Sequence, residues 1–221
     1  MRILLIFAVL ITIWACSSQP VPQWQETSSR QLENYKVYFL TDKEDATEPH
    51  FVQARKAISG NNNLHLLATA YLTKYALYAA TLEDFDDTEF LRIDKLQPDA
   101  AYRAYYNFLK GDFGKIEADM LPPAYRKIIS LMLDKNITAA NKQIANITDP
   151  LSRLIACGIR VKYLPYDENS LQLAIDTAAD QGWSRPLWAY LTRLEKYYLK
   201  HNETIKAQKI KDRLELLKQW P

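Results

Sequence analysis

The spacing of apolar residues constrains this chain most. Beyond residue 30 they recur at three- and four-residue intervals, with only five glycines in 221 residues to interrupt them. That period gathers apolar side chains on one helix face, whereas a half-buried strand needs alternation, and no segment alternates. The punctuation agrees. Gly60, Gly111 and Gly182 fall where helices should stop, and Pro49, Pro98, Pro123, Pro150 and Pro186 where they should start. A proline in a first turn loses no intrahelical bond, and a glycine past the last turn reaches backbone angles that other residues resist. The chain is therefore predicted to be all-α, an array of about ten helices whose short connections make neighbours antiparallel.

Helices are expected over 31–40, 48–59, 64–82, 88–96, 99–110, 124–135, 138–146, 151–163, 170–181, 185–200 and 203–219. Thr47 is the expected N-cap of the second, and Asp149 with Pro150 opens the helix over 151–163. The third carries Leu64, Leu67, Ala68, Tyr71, Tyr75, Tyr78 and Leu82 as one stripe. His65 and Lys74 interrupt it, so it reads as a central buried helix rather than a membrane span.

The first fifteen residues place Arg2 ahead of an apolar run from Ile3 to Ala15, the charged and apolar regions of a secretory signal. The run is too short for a spanning helix, which needs about 20 residues. The sequence Ile13-Trp14-Ala15-Cys16 resembles the bacterial lipobox, with Trp14 bulkier than usual at its position. That resemblance implies a cleaved signal peptide over residues 1–15, acyl chains on Cys16, and a palmitate-bearing lipoprotein facing the periplasm; Ser17 after the Cys favours the outer membrane. Several acyl chains at about 0.8 kcal/mol per buried CH₂ would hold it there. Residues 16–30, rich in Ser, Gln and Pro, read as a lipidated Cys and flexible tether, and residues 31–221 as the helical domain. Of the two cysteines, Cys157 is then alone, cannot close an internal disulfide, and reads as a small buried hydrophobe.

The order Leu191, Leu194, Tyr198 and Ala207 is similar to the tetratricopeptide repeat, in which a large residue, a Leu, a Tyr and a small Ala recur at those offsets. Glu195 and the missing closing Pro depart from it, and upstream helices do not hold the period. The resemblance implies an α-solenoid-like, tetratricopeptide-like array, a fold whose extended faces commonly bind proteins.

Enzymes leave constellations, and none declares itself. The three histidines, His50, His65 and His201, share no metal-binding spacing, and no hydrolase, P-loop or dinucleotide-binding motif occurs. No cofactor and no metal are therefore expected, and no enzymatic activity. The acidic run from Glu83 to Glu89 lacks the glycine turn of a calcium loop and reads as helix-capping charge. A net charge of +2 gives no reason to propose nucleic acid. Asn136, Asn146 and Asn202 head nominal glycosylation sequons, of which only the one at Asn136, preceded by Asp134, resembles the longer acidic bacterial form.

The C-terminal 25 residues are rich in Lys, a face suited to solvent, to anionic lipid or to an acidic partner. Nine of the fourteen tyrosines cluster as Tyr71/Tyr75/Tyr78, Tyr102/Tyr105/Tyr106 and, with Trp188, Tyr190/Tyr197/Tyr198. They suit either a core with hydroxyls at its edge or a contact surface. Tyr102, Tyr106, Trp188 and Tyr197 are the candidates for a partner or ligand surface. The expected function is a membrane-anchored scaffold, assembly factor or regulator of a cell-envelope machine, with an envelope protein as partner. The alternative is a lipoprotein that binds glycan or peptide through those Tyr and Trp clusters.

Overall fold

The computed structural model describes residues 21–133 and 136–218. The expected signal peptide and Cys16 lie outside the described residues, as does Asp134. The chain forms an all-α array. The eleven helices among the described residues are α1 (Gln23–Leu40), α2 (Glu44–Ser59), α3 (Leu64–Ala80), α4 (Thr88–Leu96), α5 (Ala100–Lys110), α6 (Pro123–Leu133), α7 (Ile137–Ala145), α8 (Pro150–Tyr163), α9 (Glu168–Asp180), α10 (Ser184–Lys200) and α11 (Thr204–Lys218). Two short 3₁₀ turns, Phe113–Lys115 and Ala118–Met120, join α5 to α6. Successive helices pack as neighbours, α1 on α2, α6 on α7, and α8 through α11 in series, while α3 and α8 meet across the chain. That layering is the helical array expected from short connections.

The ends of the helices follow from local chemistry. The Asn63 side chain accepts from the Leu66 N–H, Asp99 from Tyr102, Asn136 from Ala139 and Asp149 from Ser152. Each satisfies one of the backbone donors that a first turn leaves open. Asp167 and Ser170 do so reciprocally: Oδ1 of Asp167 accepts the Ser170 N–H at 2.8 Å, and Oγ of Ser170 accepts the Asp167 N–H at 3.2 Å. Gly111 closes α5 at φ 77°, a left-handed conformation that glycine adopts without strain.

Two boundaries differ from expectation. Helix α1 begins at Gln23, so residues 23–30 are helical rather than tether. Gln, Trp and Glu are adequate helix formers, and Ser28 is buried with Oγ donating to the Gln25 carbonyl, so polar composition hid a helix. Helix α2 begins at Glu44, and Thr47 is not its cap. Thr47 instead lies in the first turn with Oγ1 donating to the Lys43 carbonyl at 2.7 Å. Pro49 consequently sits inside α2.

Helix α3 is the hub. It is buried on nearly every side, including Ala68, Ala70, Leu72, Tyr75, Leu77 and Ala80, the mark of a helix wrapped by others. Among the described residues no helix is long and apolar enough to cross a membrane. Gly158 of α8 lies against the α3 backbone at Ala79 and Ala80, so these two helices approach as closely as a missing side chain permits. Cys157 beside it is buried, as expected.

The acidic segment before α4 is spent on ion pairs with distant elements. Glu83 forks onto Arg185 of α10, with Nε and Nη2 each donating at 2.8 Å, and the guanidinium lies 4.1 Å from the Phe39 ring centroid. Asp84 meets Lys162, and Asp87 accepts from Lys110 and from the Tyr106 hydroxyl, both at 2.8 Å. Asp86 accepts from the Thr88 N–H and hydroxyl. Thus one loop ties α4, α5, α8 and α10 together.

Arg160 of α8 is the exception to the pairing of buried charge. It is 0 % exposed, and Nε, Nη1 and Nη2 have no hydrogen-bond partner among the described residues. Burial holds its guanidinium below the ordinary arginine value, opposed by the nearby charge of Asp167.

Candidate functional site

A cleft of about 460 Å³ opens where α3, α5, α6 and α8 converge on the segment 120–122. Its apolar lining includes Leu72 and Ala76 from α3, Leu121 from the connector and Ile155 from α8, all buried. Tyr102 and Tyr105 from α5 and the exposed Met120 line it as well. Lys36 and Arg126 bring two cations. The volume lies within the roughly 300–1,000 Å³ common for ligand pockets, with the usual few polar groups on an apolar wall.

Tyr102 is the best-fixed of these side chains. Its ring stacks on His65 with centroids 4.5 Å apart, and its hydroxyl meets Thr69 Oγ1 at 2.7 Å. Because Thr69 Oγ1 donates its one hydrogen to the His65 carbonyl, Tyr102 is the donor in that pair. The ring is thereby held with one face against His65 where it lines the cleft. Arg126 is similarly braced, its Nε donating to the Leu121 carbonyl at 2.7 Å.

Beneath the cleft, Tyr105 and Tyr125 stack with centroids 5.9 Å apart. Burial pushes the Tyr105 phenol well above its ordinary value and the Tyr125 phenol up to about 12. Both remain protonated at neutral pH, so they offer hydrogen bonds and apolar faces rather than a base. Among the described residues no cluster of His, Cys, Asp and Glu could hold a metal ion. The arrangement can bind; it presents no nucleophile paired with a base.

The structure separates the four aromatic candidates. Tyr102 lines the cleft, whereas Tyr106, one turn on, turns its ring onto Phe90 at 4.9 Å and gives its hydroxyl to Asp87. Trp188 and Tyr197 belong to α10, which packs on α9, α11 and α1 rather than around the cleft. Trp188 is half-buried, with the Lys218 ammonium 5.9 Å from its ring. Tyr197 lies between Tyr166 and His201, at centroid distances of 6.1 Å and 4.1 Å. Lys36, Thr69 and Arg126 entered the cleft unannounced by sequence, since helices distant in the chain bring them there.

No family model matches the chain, and no curated protein or solved structure matches it either.

Proposed function

We propose that this chain is a lipid-anchored binding module that faces the periplasm and docks one protein of a cell-envelope machine through the cleft between α3, α5, α6 and α8. The single observation that carries the reading is the composition of that cleft: Tyr102, Tyr105, Met120 and Arg126 around buried Leu72 and Ile155. Tyr and Arg in well-packed, partly desolvated pockets dominate protein interfaces, because each combines large contact area with directed polar contacts. The complementary element is a partner segment with an apolar side chain for the cleft and a carboxylate for Arg126 or Lys36.

Three further features support the reading. The α10–α11 pair buries Leu191, Leu194, Tyr198 and Ala207, the residues that resemble a tetratricopeptide unit. Stacked helix pairs of that kind leave extended faces for partners. The lipobox resemblance at Cys16 supplies the anchor. Because α1 starts at Gln23, the seven residues from Cys16 span at most about 25 Å, so the module would stay beside its bilayer.

The test is site-specific photocrosslinking in living cells from Met120, at the cleft, and from Leu216, on the exposed face of α11. One stoichiometric protein adduct is expected from Met120 alone, and Tyr102→Ala should abolish it while melting curves confirm that the variant is folded. Adducts that form equally from both sites, or persist in Tyr102→Ala, would remove the cleft from the interface. A Cys16→Ala chain that stays in the membrane and still carries acyl label would refute the anchor.

A further inference from the structure

Arg193, Lys196, Tyr197 and Lys200 recur on α10 at three- and four-residue intervals, which puts them on one face. That face meets the turn after α8, where Pro165 and Tyr166 lie, and with His201 encloses a groove of about 480 Å³. Aromatic rings form one side of it. Tyr166 and Tyr197 sit 6.1 Å apart at an interplanar angle of 43°, and His201 continues the row 4.1 Å beyond. His201 is fixed there because Nδ1 donates to the Tyr197 carbonyl at 2.7 Å, leaving Nε2 unused among the described residues.

The cations of this groove are unspent. Arg193, Lys196 and Lys200 form no ion pair among the described residues, while the neighbouring Lys206 takes Glu168 at 3.2 Å and Glu203 at 2.6 Å. The Tyr198 hydroxyl takes the other oxygen of Glu168. Half-buried Arg185 and Lys162, by contrast, each meet an acid. Half-buried Arg193 and exposed Lys196 and Lys200, beside the half-buried rings of Tyr166 and Tyr197 and the exposed ring of His201, form a concave surface that attracts anions.

We propose that this groove binds an acidic saccharide, its carboxylates on Arg193, Lys196 and Lys200 and its apolar ring faces against Tyr166 and Tyr197. The donor inventory selects that class. Lysine and arginine only donate, so a ligand rich in acceptor oxygens satisfies them, and the flat apolar faces of a sugar ring suit the flanking tyrosines. Planar guanidinium matches a carboxylate in two parallel hydrogen bonds. A bilayer surface would meet a convex basic face more readily than this recess. The groove shares no lining residue with the cleft.

Calorimetric titration of the purified full chain in neutral detergent tests the proposal, with oligogalacturonate as the probe. Maltohexaose, inorganic phosphate and phosphatidylglycerol in mixed micelles are the comparison ligands. Oligogalacturonate is expected to bind, and more weakly as salt rises. Lys196→Glu combined with Lys200→Glu, both at exposed positions, should lower its affinity at least about tenfold through lost charge-assisted bonds. Tyr197→Ala should also lower it by about tenfold, and Tyr197→Phe, which keeps the ring, should not. Melting curves confirm that each variant is folded. The proposal fails if maltohexaose or phosphate binds equally well, if only phosphatidylglycerol micelles bind, or if the double charge reversal leaves oligogalacturonate affinity unchanged.

Discussion

Gly158→Ala sets local and tertiary forces directly against each other. In an isolated helix this substitution stabilises by about 1 kcal/mol, because alanine restricts the unfolded chain and suits the helix. Here an added Cβ would intrude on the Ala79 carbonyl oxygen, and it would lie 2.8 Å from the carbonyl carbon and 3.3 Å from the Ala80 Cα. These are backbone atoms in the last turn of the buried α3 helix, so no flexible side chain can swing away. Relief requires α3 and α8 to separate by about an ångström, which weakens dispersion contacts along the whole seam. Overpacking of this kind costs about 3 kcal/mol at the upper end of its usual range. The net loss should be about 2 kcal/mol once the helical gain is subtracted.

Equilibrium urea unfolding followed by circular dichroism is the assay. With a slope of about 2 kcal/mol/M, the midpoint should fall by about 1 M. Gly114→Ala is the matched control, since a Cβ there meets nothing within 4 Å. A Gly158→Ala midpoint equal to or above that of the parent chain would refute the close approach of α3 and α8.

Other perturbations probe the same energetics. Arg185→Ala should lower stability by about 2 kcal/mol through loss of the two-point bond to Glu83, and Arg185→Lys should recover only part of it; thermal melts at low and high salt distinguish fork from charge. Arg160→Met should be neutral or stabilising by about 1 to 3 kcal/mol in urea unfolding, because it replaces an unpartnered buried cation with an apolar side chain; a marked loss would mean that buried water satisfies the guanidinium. Alkaline pH should destabilise the fold. Burial pushes Cys157 up to about 12 from 9.0, and Tyr125 up to about 12 from 10.0. Both groups ionise more easily unfolded than folded, so stability intact below pH 9 is lost as pH rises toward 12. The urea midpoint across that window should decline, and Cys157→Ala should make the decline shallower.

Much of the fold was legible in the chain because its determinants are local. Asp149 with Pro150 and Gly111 after Lys110 are satisfied by atoms three or four residues away. An apolar stripe of period 3.6 likewise needs no knowledge of what it packs against. Local reading failed over residues 23–30, where polar composition resembled a tether although each residue tolerates a helix. It failed again at Thr47, whose hydroxyl found an earlier carbonyl inside a helix that had begun before it.

The candidate sites divide along the same line. Tyr102 and Tyr197 stood out as aromatic excess, yet their surroundings did not: Thr69 lies 33 residues from Tyr102, and the whole of α9 separates Tyr166 from the helix that carries Tyr197. Sequence alone determined that this chain is helical and where most of its helices stop. Only tertiary packing decided that Gly158 is needed for α3 to meet α8, that the acidic loop is a clasp, and that one tyrosine lines an apolar cleft while another lines a basic groove. The reason is physical: helix propensity and capping act over a turn or two, whereas clefts, ion pairs and close approaches depend on which distant faces are buried together.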